Sequence, residues 1–335
     1  MFGINAAPAI WQRYIEKLLH GIPGLAVFFD DVIICGEDEA TLKERISQAL
    51  FRIHEAGLRL NKEKCVFYAK EVNYLGHIIS AEGIKKTNSN VDAVLQTKVP
   101  ENVTEVKAFL GMVTFYSRFL PNLATVASPL YELLKKDKKF DWTKQCETSF
   151  KKLKEMLSSN KLLVHYQQNI PIVLAVDASP YGIGAVLSHV FKDGTERPIS
   201  YSSRTLSTSE KNYSQLDKEA LAIKWGIEKF YYYLMGRKFT LYTDHKPLQH
   251  IFGNRNSLPK LCATRLLHYG LFLQNFQFDI KYRPGEENSN ADCLSRLPLS
   301  SDELFEMDSV EDFQINYISS LPISAKDIAK AKILS

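Results

Sequence analysis

The sequence lacks any apolar run long enough to form a membrane-spanning helix. None of its 335 residues falls in an uninterrupted apolar stretch of about 18 residues, the length from which a transmembrane helix is inferred. The first residues, MFGINAAPAI, also lack the charged start and long apolar core of a secretory signal peptide. We therefore expect neither a membrane partner nor a secretory route.

Cysteine is scarce and badly spaced for pairing. The chain has five cysteines, and the nearest two, Cys35 and Cys65, are 30 residues apart. An odd number without short spacings argues against a disulfide framework and against a C-x-x-C zinc site. Free thiols of this kind are typical of a reducing compartment, so we expect an intracellular protein.

A large excess of one charge is missing as well, because the net charge is only +4. The charge is uneven, however, since residues 135–161 hold nine lysines against four acids, whereas residues 301–335 hold seven acids against three lysines. A basic body fits a polyanionic partner such as nucleic acid, and a solvated lysine-rich face explains the same numbers. The acidic, serine-rich end is typical of a flexible tether.

Hydrophobic patterning in the first half predicts alternating short strands and helices. AVFFDDVIIC is typical of two strands that meet in a tight turn, and the turn holds the adjacent acids Asp30 and Asp31. Ionised acids are rarely buried without a partner, so their place between apolar runs needs an explanation. Further predicted elements are a helix over 40–56, strands over 65–80 and helices over 103–119 and 144–158. Thr104 is the predicted cap of the helix over 103–119, and Pro121 and Pro129 predict a loop.

The second half, from Pro171, has a different pattern of predicted elements. Five strand-like segments are separated by turn signals and helical patterns, in the order IVLAVDAS, GIGAVLSHV, RPISYSSR, FTLYTDH and FDIKYRP. Helices are predicted over 214–235 and 258–274, and a last one begins at NSNADCLSRL. Strands first and helices interleaved later indicate an α/β or α+β layered domain.

Four acids recur in this second half at the ends of predicted elements. Asp177 ends the first strand, Asp244 ends the fourth, Glu219 lies on a helix, and Asp292 lies near the start of the last helix. Clustered carboxylates repel one another unless a cation lies among them, and Mg²⁺ prefers oxygen ligands. Two such ions support phosphodiester cleavage. Spacing alone leaves a second interpretation open, four unrelated surface acids.

Many motifs, in a fixed order, resemble the Pol polyprotein of Ty3/gypsy-type LTR retrotransposons over about residues 2–300. The motifs are FGINAAPAIWQR, FFDDVIIC, GLRLNKEKCVF, YLGHIISAEGI, FLGMVTFYSRFLPNLATVASPLYELLKK, VDASPYGIGAVLSH, ISYSSRTLSTSEKNYSQLDKEALAI, YTDHKPL and YRPGEENSNADCLSRLP. The resemblance implies four regions along the chain. They are the rear of a reverse transcriptase palm (1–80), thumb and connection (81–165), an RNase H-like domain (166–299) and an acidic tether that would precede integrase (300–335).

The resemblance also implies roles for the acids. FFDD is similar to the Tyr-x-Asp-Asp motif, which makes Asp30 and Asp31 metal-binding acids of an RNA-directed DNA polymerase. Asp177, Glu219, Asp244 and Asp292 match the four metal-binding acids of the RNase H domain, whose implied fold is a mixed five-stranded sheet flanked by helices. Mg²⁺ or Mn²⁺ is the implied cofactor. RNA–DNA hybrid and template-primer nucleic acid are the implied partners, in the cytoplasm or the nucleus.

Two departures from the family pattern limit what is expected of the polymerase motif. Phe28 stands where the motif usually has Tyr, and the third metal-binding aspartate of the palm belongs upstream of FGINAAPAIWQR, where this chain begins. We therefore expect Mg²⁺-dependent cleavage of RNA in RNA–DNA hybrids, with no polymerisation by this chain alone. The alternatives are a non-catalytic nucleic-acid-binding relic, decayed or domesticated, and completion of the palm in trans by another Pol chain.

Overall fold

The computed structural model describes residues 6–121, 123–135, 139–159, 161–253 and 264–284. These residues form two compact units. Unit 1 contains residues up to 88 together with 162–169, and unit 2 contains the described residues of 89–161 and 170–284. No helix in the described ranges has the length and apolar character needed to cross a membrane. The domain boundaries expected at residues 80, 165 and 299 remain predictions.

Unit 1 is built from two helices and two small antiparallel sheets. Its elements are α1 (Ala7–Leu19), β1 (Leu25–Phe28), β2 (Asp31–Ile34), α2 (Glu39–Glu55), β3 (Glu71–Tyr74), β4 (His77–Ser80) and β5 (Gly83–Lys86). The helix α2 begins where the Asp38 side chain accepts a hydrogen bond from the Thr41 amide at 2.7 Å. It ends before Gly57, whose φ of +69° is costly for residues with a side chain. The predicted helix is confirmed to within one residue at each end.

The β1–β2 hairpin is covered on both of its faces. On one face the helices α1 and α2 contribute buried side chains such as Ile15, Leu19 and Leu42. On the other, Ala26 and Ile33 pack in a cluster with Tyr74 of β3. The alternation of inward and outward residues along a strand allows one hairpin to serve both cores. The predicted pair of strands is confirmed, with Phe28 opposite Asp31.

The first part of unit 2 is helical. Its helices are α3 (Asn88–Gln96), which begins at the last residue of unit 1, α4 (Val103–Phe115), α5 (Leu123–Glu132) and α6 (Lys144–Ser158). The predicted cap at Thr104 is wrong, because the Asn102 side chain accepts the hydrogen bond from the Glu105 amide at 3.0 Å. The loop predicted around Pro129 is also wrong, since this proline lies inside α5. Burial of Leu123, Ala127 and Leu130 outweighs the unfavourable helix propensity of proline.

One lysine of the basic stretch has a structural role. Lys154 Nζ donates hydrogen bonds to the carbonyl oxygens of Leu95 at 2.9 Å and Thr97 at 2.5 Å, and it lies 4.4 Å from the centre of the Phe150 ring. These contacts satisfy carbonyl groups at the C-terminal end of α3, which have no partner within the helix. The Lys154 ammonium group is therefore engaged within the protein.

The second part of unit 2 is a five-stranded mixed sheet flanked by helices, which confirms the predicted fold class. The strands are β6 (Ile172–Ala178), β7 (Gly182–Val190), β8 (Glu196–Thr205), β9 (Lys238–Thr243) and β10 (Gln277–Tyr282), in the order β10-β9-β6-β7-β8. The pairs β6–β7 and β7–β8 are antiparallel, and β6–β9 and β9–β10 are parallel. The helices are α7 (Thr208–Lys211), α8 (Gln215–Lys229), α9 (Tyr231–Leu234), α10 (Lys246–Gly253) and α11 (Thr264–Leu273). The helix predicted over 214–235 is interrupted at Phe230, and the last predicted helix lies outside the described residues.

The helix α8 approaches the centre of this sheet closely because it carries a glycine at the contact. A Cβ atom at Gly226 would lie 2.9 Å from Val176 Cγ1 and 3.2 Å from Ala185 Cβ. Both neighbours belong to central strands and are buried. Glycine is therefore required here for packing, although it is a poor helix former.

We expect Gly226→Ala to lower the free energy of unfolding of unit 2 by about 1 kcal/mol. Alanine favours the helix by about 1 kcal/mol, but inserting a methyl group into a filled core costs about 1–3 kcal/mol. Urea unfolding followed by circular dichroism measures the difference. Gly111→Ala is the matched control, because Gly111 is exposed within α4 and its Cβ would meet no atom within 4 Å. That variant should gain about 0.5–1 kcal/mol, and an equal gain from both variants would contradict the close contact.

Candidate functional site

Three acidic side chains from three different elements meet at one edge of the sheet. Asp177 lies near the end of β6, Asp244 directly follows β9, and Glu219 lies in the second turn of α8. One carboxylate oxygen of each lies within 4.8 Å of the others. The strand register accounts for two of them. Ala175 pairs with Tyr242, so Asp177 and Asp244, two residues further along parallel neighbours, reach the same level.

Burial makes this cluster electrostatically costly. The side chains of Asp177 and Glu219 are 4% and 2% exposed, and Asp244 is half-buried. Burial raises the pKa of Glu219 well above its usual value, and the charges of Asp244 and Asp177 raise it further. In the absence of a cation, the protein therefore resists having all three groups ionised together.

A glutamine one helical turn earlier orients Glu219. Gln215 Nε2 donates to Glu219 Oε1 at 2.6 Å and to the Ala178 carbonyl oxygen at 3.0 Å, which ties α8 to the end of β6. Donation to the ionised carboxylate partly offsets the rise in its pKa. Gln215 is not among the site residues predicted from the sequence. Its i, i+4 spacing from Glu219 is the available signal.

The three acids have the properties of a divalent-cation site. Their ligand atoms are all carboxylate oxygens, which hard cations such as Mg²⁺ prefer. Glu219 Oε2 is buried and has no hydrogen-bond partner among the described residues, so one ligand atom is available to a cation. Asp292, expected to complete this set, lies outside the described residues.

Asp30 and Asp31 lie elsewhere, at the β1–β2 hairpin: Asp30 is in the tight turn, as the sequence predicts, whereas Asp31 is already the first residue of β2, opposite Phe28. Both side chains are exposed, so the expectation of a cost for burying them is wrong: the turn projects beyond the apolar parts of its two strands. Among the described residues, no further His, Cys, Asp or Glu completes a group of three with them. Asp31 affects one neighbouring group: the pKa of Tyr74 is raised by burial and, to a smaller extent, by the charge of Asp31.

Two family models match the chain. The model described as reverse transcriptase (RNA-dependent DNA polymerase) matches residues 1–79, which include Asp30 and Asp31. The model described as an RNase H-like domain found in reverse transcriptase matches residues 142–241, which include Asp177 and Glu219. The two acidic sites therefore fall in, or directly beside, two different matched regions.

Curated relatives are several times longer than this chain. The retrovirus-related Pol polyprotein from transposon 297 of Drosophila melanogaster is 36% identical over 301 residues, which are 89% of this chain and 28% of the relative. The transposon Tf2-3 polyprotein of Schizosaccharomyces pombe is 35% identical over 327 residues, which are 96% of this chain and 24% of the relative. The chain thus spans about a quarter of the length of these proteins.

The fold is also that of solved enzymes. The structure of the foamy viral protease-reverse transcriptase in complex with RNA/DNA hybrid is similar with a TM-score of 0.69. The two proteins are 22% identical, and the likeness covers 92% of this chain and 41% of that one. At this level of identity the comparison establishes the fold.

We expect Glu219→Gln to stabilise unit 2 when no divalent cation is present. The substitution replaces a carboxyl group that is costly to ionise here with a neutral amide of the same shape. A gain of about 1 kcal/mol corresponds to roughly 2–4 °C in Tm for a unit of this size. Because the pKa of the Glu219 carboxyl group is raised on folding, the wild type loses stability as the pH rises above about 4.5, and its deficit relative to the variant should grow with pH.

Thermal unfolding in EDTA at several pH values, repeated with MgCl₂, measures this effect. Addition of Mg²⁺ should raise the Tm of the wild type and leave the variant nearly unchanged. Glu228→Gln is the control, because Glu228 lies on the same helix and pairs with Lys224 at 2.5 Å near the surface. A lower Tm for Glu219→Gln than for the wild type in EDTA would refute the view that burial and repulsion make an ionised Glu219 destabilising at this site.

Proposed function

We propose that this chain, a homologue of transposon Pol polyproteins, hydrolyses the RNA strand of RNA–DNA hybrids. The proposal starts from its reverse transcriptase and RNase H-like sequence. The observation that carries the proposal is the convergence of Asp177, Glu219 and Asp244 within 4.8 Å. A foamy viral reverse transcriptase of the same fold has been solved with an RNA/DNA hybrid, which supports the choice of substrate.

In this proposal Asp177, Glu219 and Asp244 hold divalent cations, Mg²⁺ or Mn²⁺, and Asp292 completes the set. Divalent ions at such a site would lower the pKa of a water molecule and stabilise the charge on the leaving oxygen. Asp177 and Glu219 are buried and would hold the cations on the side that faces the protein interior. Asp244 is the most exposed of the three and therefore the carboxylate nearest to solvent and substrate.

Other elements of the protein hold the three acids in position without adding charge to the site. Gln215 fixes one oxygen of Glu219, and the parallel strand pair fixes the level of Asp177 and Asp244. The reaction consumes one water, breaks the bond from phosphorus to the 3′ oxygen, and leaves a 5′ phosphate and a 3′ hydroxyl. Selectivity for a hybrid requires contacts to the 2′-hydroxyl groups of one strand. Exposed lysines such as Lys144, Lys151 and Lys152 are suited to binding phosphates and would make binding depend on salt.

We expect the wild type to cleave the RNA of a 5′-labelled RNA–DNA hybrid in MgCl₂ and to leave an RNA–RNA duplex intact. Asp244→Asn should lower the rate by on the order of 100-fold or more, because even changes outside the ligand shell cost 10–100-fold in metal sites. Asp279→Asn is the matched control, since it removes an exposed acid of the same sheet. Denaturing gels and EDTA-quenched time courses give the rates.

If the folded wild type gives no cleavage, the alternative of a non-catalytic nucleic-acid-binding protein takes its place. Salt-dependent fluorescence anisotropy with the same hybrid then measures binding directly. Equal cleavage by the wild type and Asp244→Asn would show a contaminating nuclease.

For the polymerase motif we propose that Asp30 and Asp31 are cation ligands that do not suffice for nucleotide transfer. Two exposed carboxylates without a third acid in the described residues give an incomplete site for two-ion chemistry. Primer extension on an RNA template is expected to give no product with this chain. Extension by the wild type that is lost in Asp30→Asn would overturn the proposal.

A further inference from the structure

A buried glutamine of α1 forms hydrogen bonds to the β1–β2 hairpin beside the turn residues Phe29 and Asp30. Gln12, on α1, is only 7% exposed. Its Oε1 accepts a hydrogen bond from the Phe29 amide at 2.5 Å, and its Nε2 donates to the Val27 carbonyl oxygen at 3.1 Å and to Glu16 Oε1 at 2.9 Å. The amide group therefore bridges the end of β1 and the first residue of the turn.

The neighbouring tryptophan holds the other polar group of the same turn residue. Trp11 Nε1 donates to the Phe29 carbonyl oxygen at 3.0 Å. Both main-chain polar groups of Phe29 are thus bonded to side chains of α1. The tryptophan ring is otherwise partly exposed and lies against Tyr14, with 5.9 Å between the ring centres.

The turn needs this external support, because its own residues are poorly suited to it. Phe29 and Asp30 are the two residues between β1 and β2, and Phe29 has a φ of +53°. Hairpins with two-residue turns prefer Asn-Gly, Asp-Gly or Gly at the positions of positive φ. A bulky residue in the left-handed region is strained and persists only when its surroundings hold it there.

We propose that Gln12 and Trp11 are positioning residues that fix the Phe29 backbone, and through it the Asp30 and Asp31 carboxylates, before a cation binds. This inference rests on the proposed role of these two acids as cation ligands. A site that is ordered in advance avoids the entropy cost of ordering on binding and so binds more tightly. Two adjacent exposed acids without such support would bind a divalent cation more weakly.

The first experiment measures the hydrogen bond itself, without a cation. With ¹⁵N-phenylalanine labelling, the Phe29 amide is assigned by its loss in Phe29→Tyr. We expect a downfield proton shift and slow hydrogen exchange in the wild type, and at least about tenfold faster exchange in Gln12→Met. The matched control is Gln48→Met, because Gln48 is an exposed glutamine of α2 whose side chain donates to Glu44 on the same helix. The Phe51 amide within α2 reports that unit 1 stays folded.

The second experiment adds Mn²⁺ as the probe and follows broadening of the Phe28 and Phe29 amide signals. We expect the half-broadening concentration to rise at least threefold in Gln12→Met, to rise less in Trp11→Phe, and to stay unchanged in Gln48→Met.

The outcomes separate the inference from the proposed function. Equal Phe29 exchange in the wild type and Gln12→Met, with Phe51 protected in both, would overturn the positioning role. Absence of broadening at the turn of the wild type would refute the cation role of Asp30 and Asp31, whereas the exchange data would still decide whether Gln12 holds the turn. A changed exchange rate with unchanged Mn²⁺ binding would overturn the link between positioning and affinity.

Discussion

The burial and mutual repulsion of three clustered carboxylates are the constraint on which the second unit depends. Asp177 and Glu219 are buried beside Asp244, and the raised pKa of Glu219 expresses the free energy needed to keep them together. The surrounding structure supplies that free energy through apolar burial. The inner strands β6 and β7 are buried along nearly their whole length, and α8 lies close enough to the sheet to require Gly226. A loosely packed sheet would let the acids move apart.

The two acidic sites meet the same electrostatic problem in opposite ways. At the sheet edge the acids are removed from water and kept in place by the strand register and by Gln215. At the β1–β2 turn Asp30 and Asp31 remain in water, so little repulsion has to be overcome, and the difficulty is the strained backbone between the strands. Each site uses a glutamine side chain that bonds to two elements at once. A neutral amide donates and accepts hydrogen bonds without adding charge, which suits positions beside carboxylates.

Much of the fold was predictable from the sequence because strand and helix periods dominate it. The β1–β2 pair, the five strands of the sheet and the placement of Asp177, Glu219 and Asp244 follow from apolar patterning and turn residues. Pro129 inside α5 was not predictable, since burial against neighbouring elements overrides its propensity. Gln12 and Gln215 were missed for a related reason. Their roles depend on which backbone groups tertiary packing brings within 3 Å, and a single sequence carries little of that information.

Binding of a cation and stability of the second unit should be linked, because the same repulsion governs both. A ligand that binds only the folded state adds stability in proportion to its occupancy. In an ionised cluster, the cation also removes the repulsion that opposes folding, so the most stable form of the site is the loaded one. Fewer lysines are available to bind phosphate than the sequence suggests, because Lys154 donates hydrogen bonds to carbonyl oxygens at the end of α3. Under the proposed function, phosphate binding would depend on the exposed lysines of α6 and on the cations. If the proposed function holds, cation binding would therefore remove the repulsion among the acids, stabilise the second unit and prepare the site for phosphate in the same step.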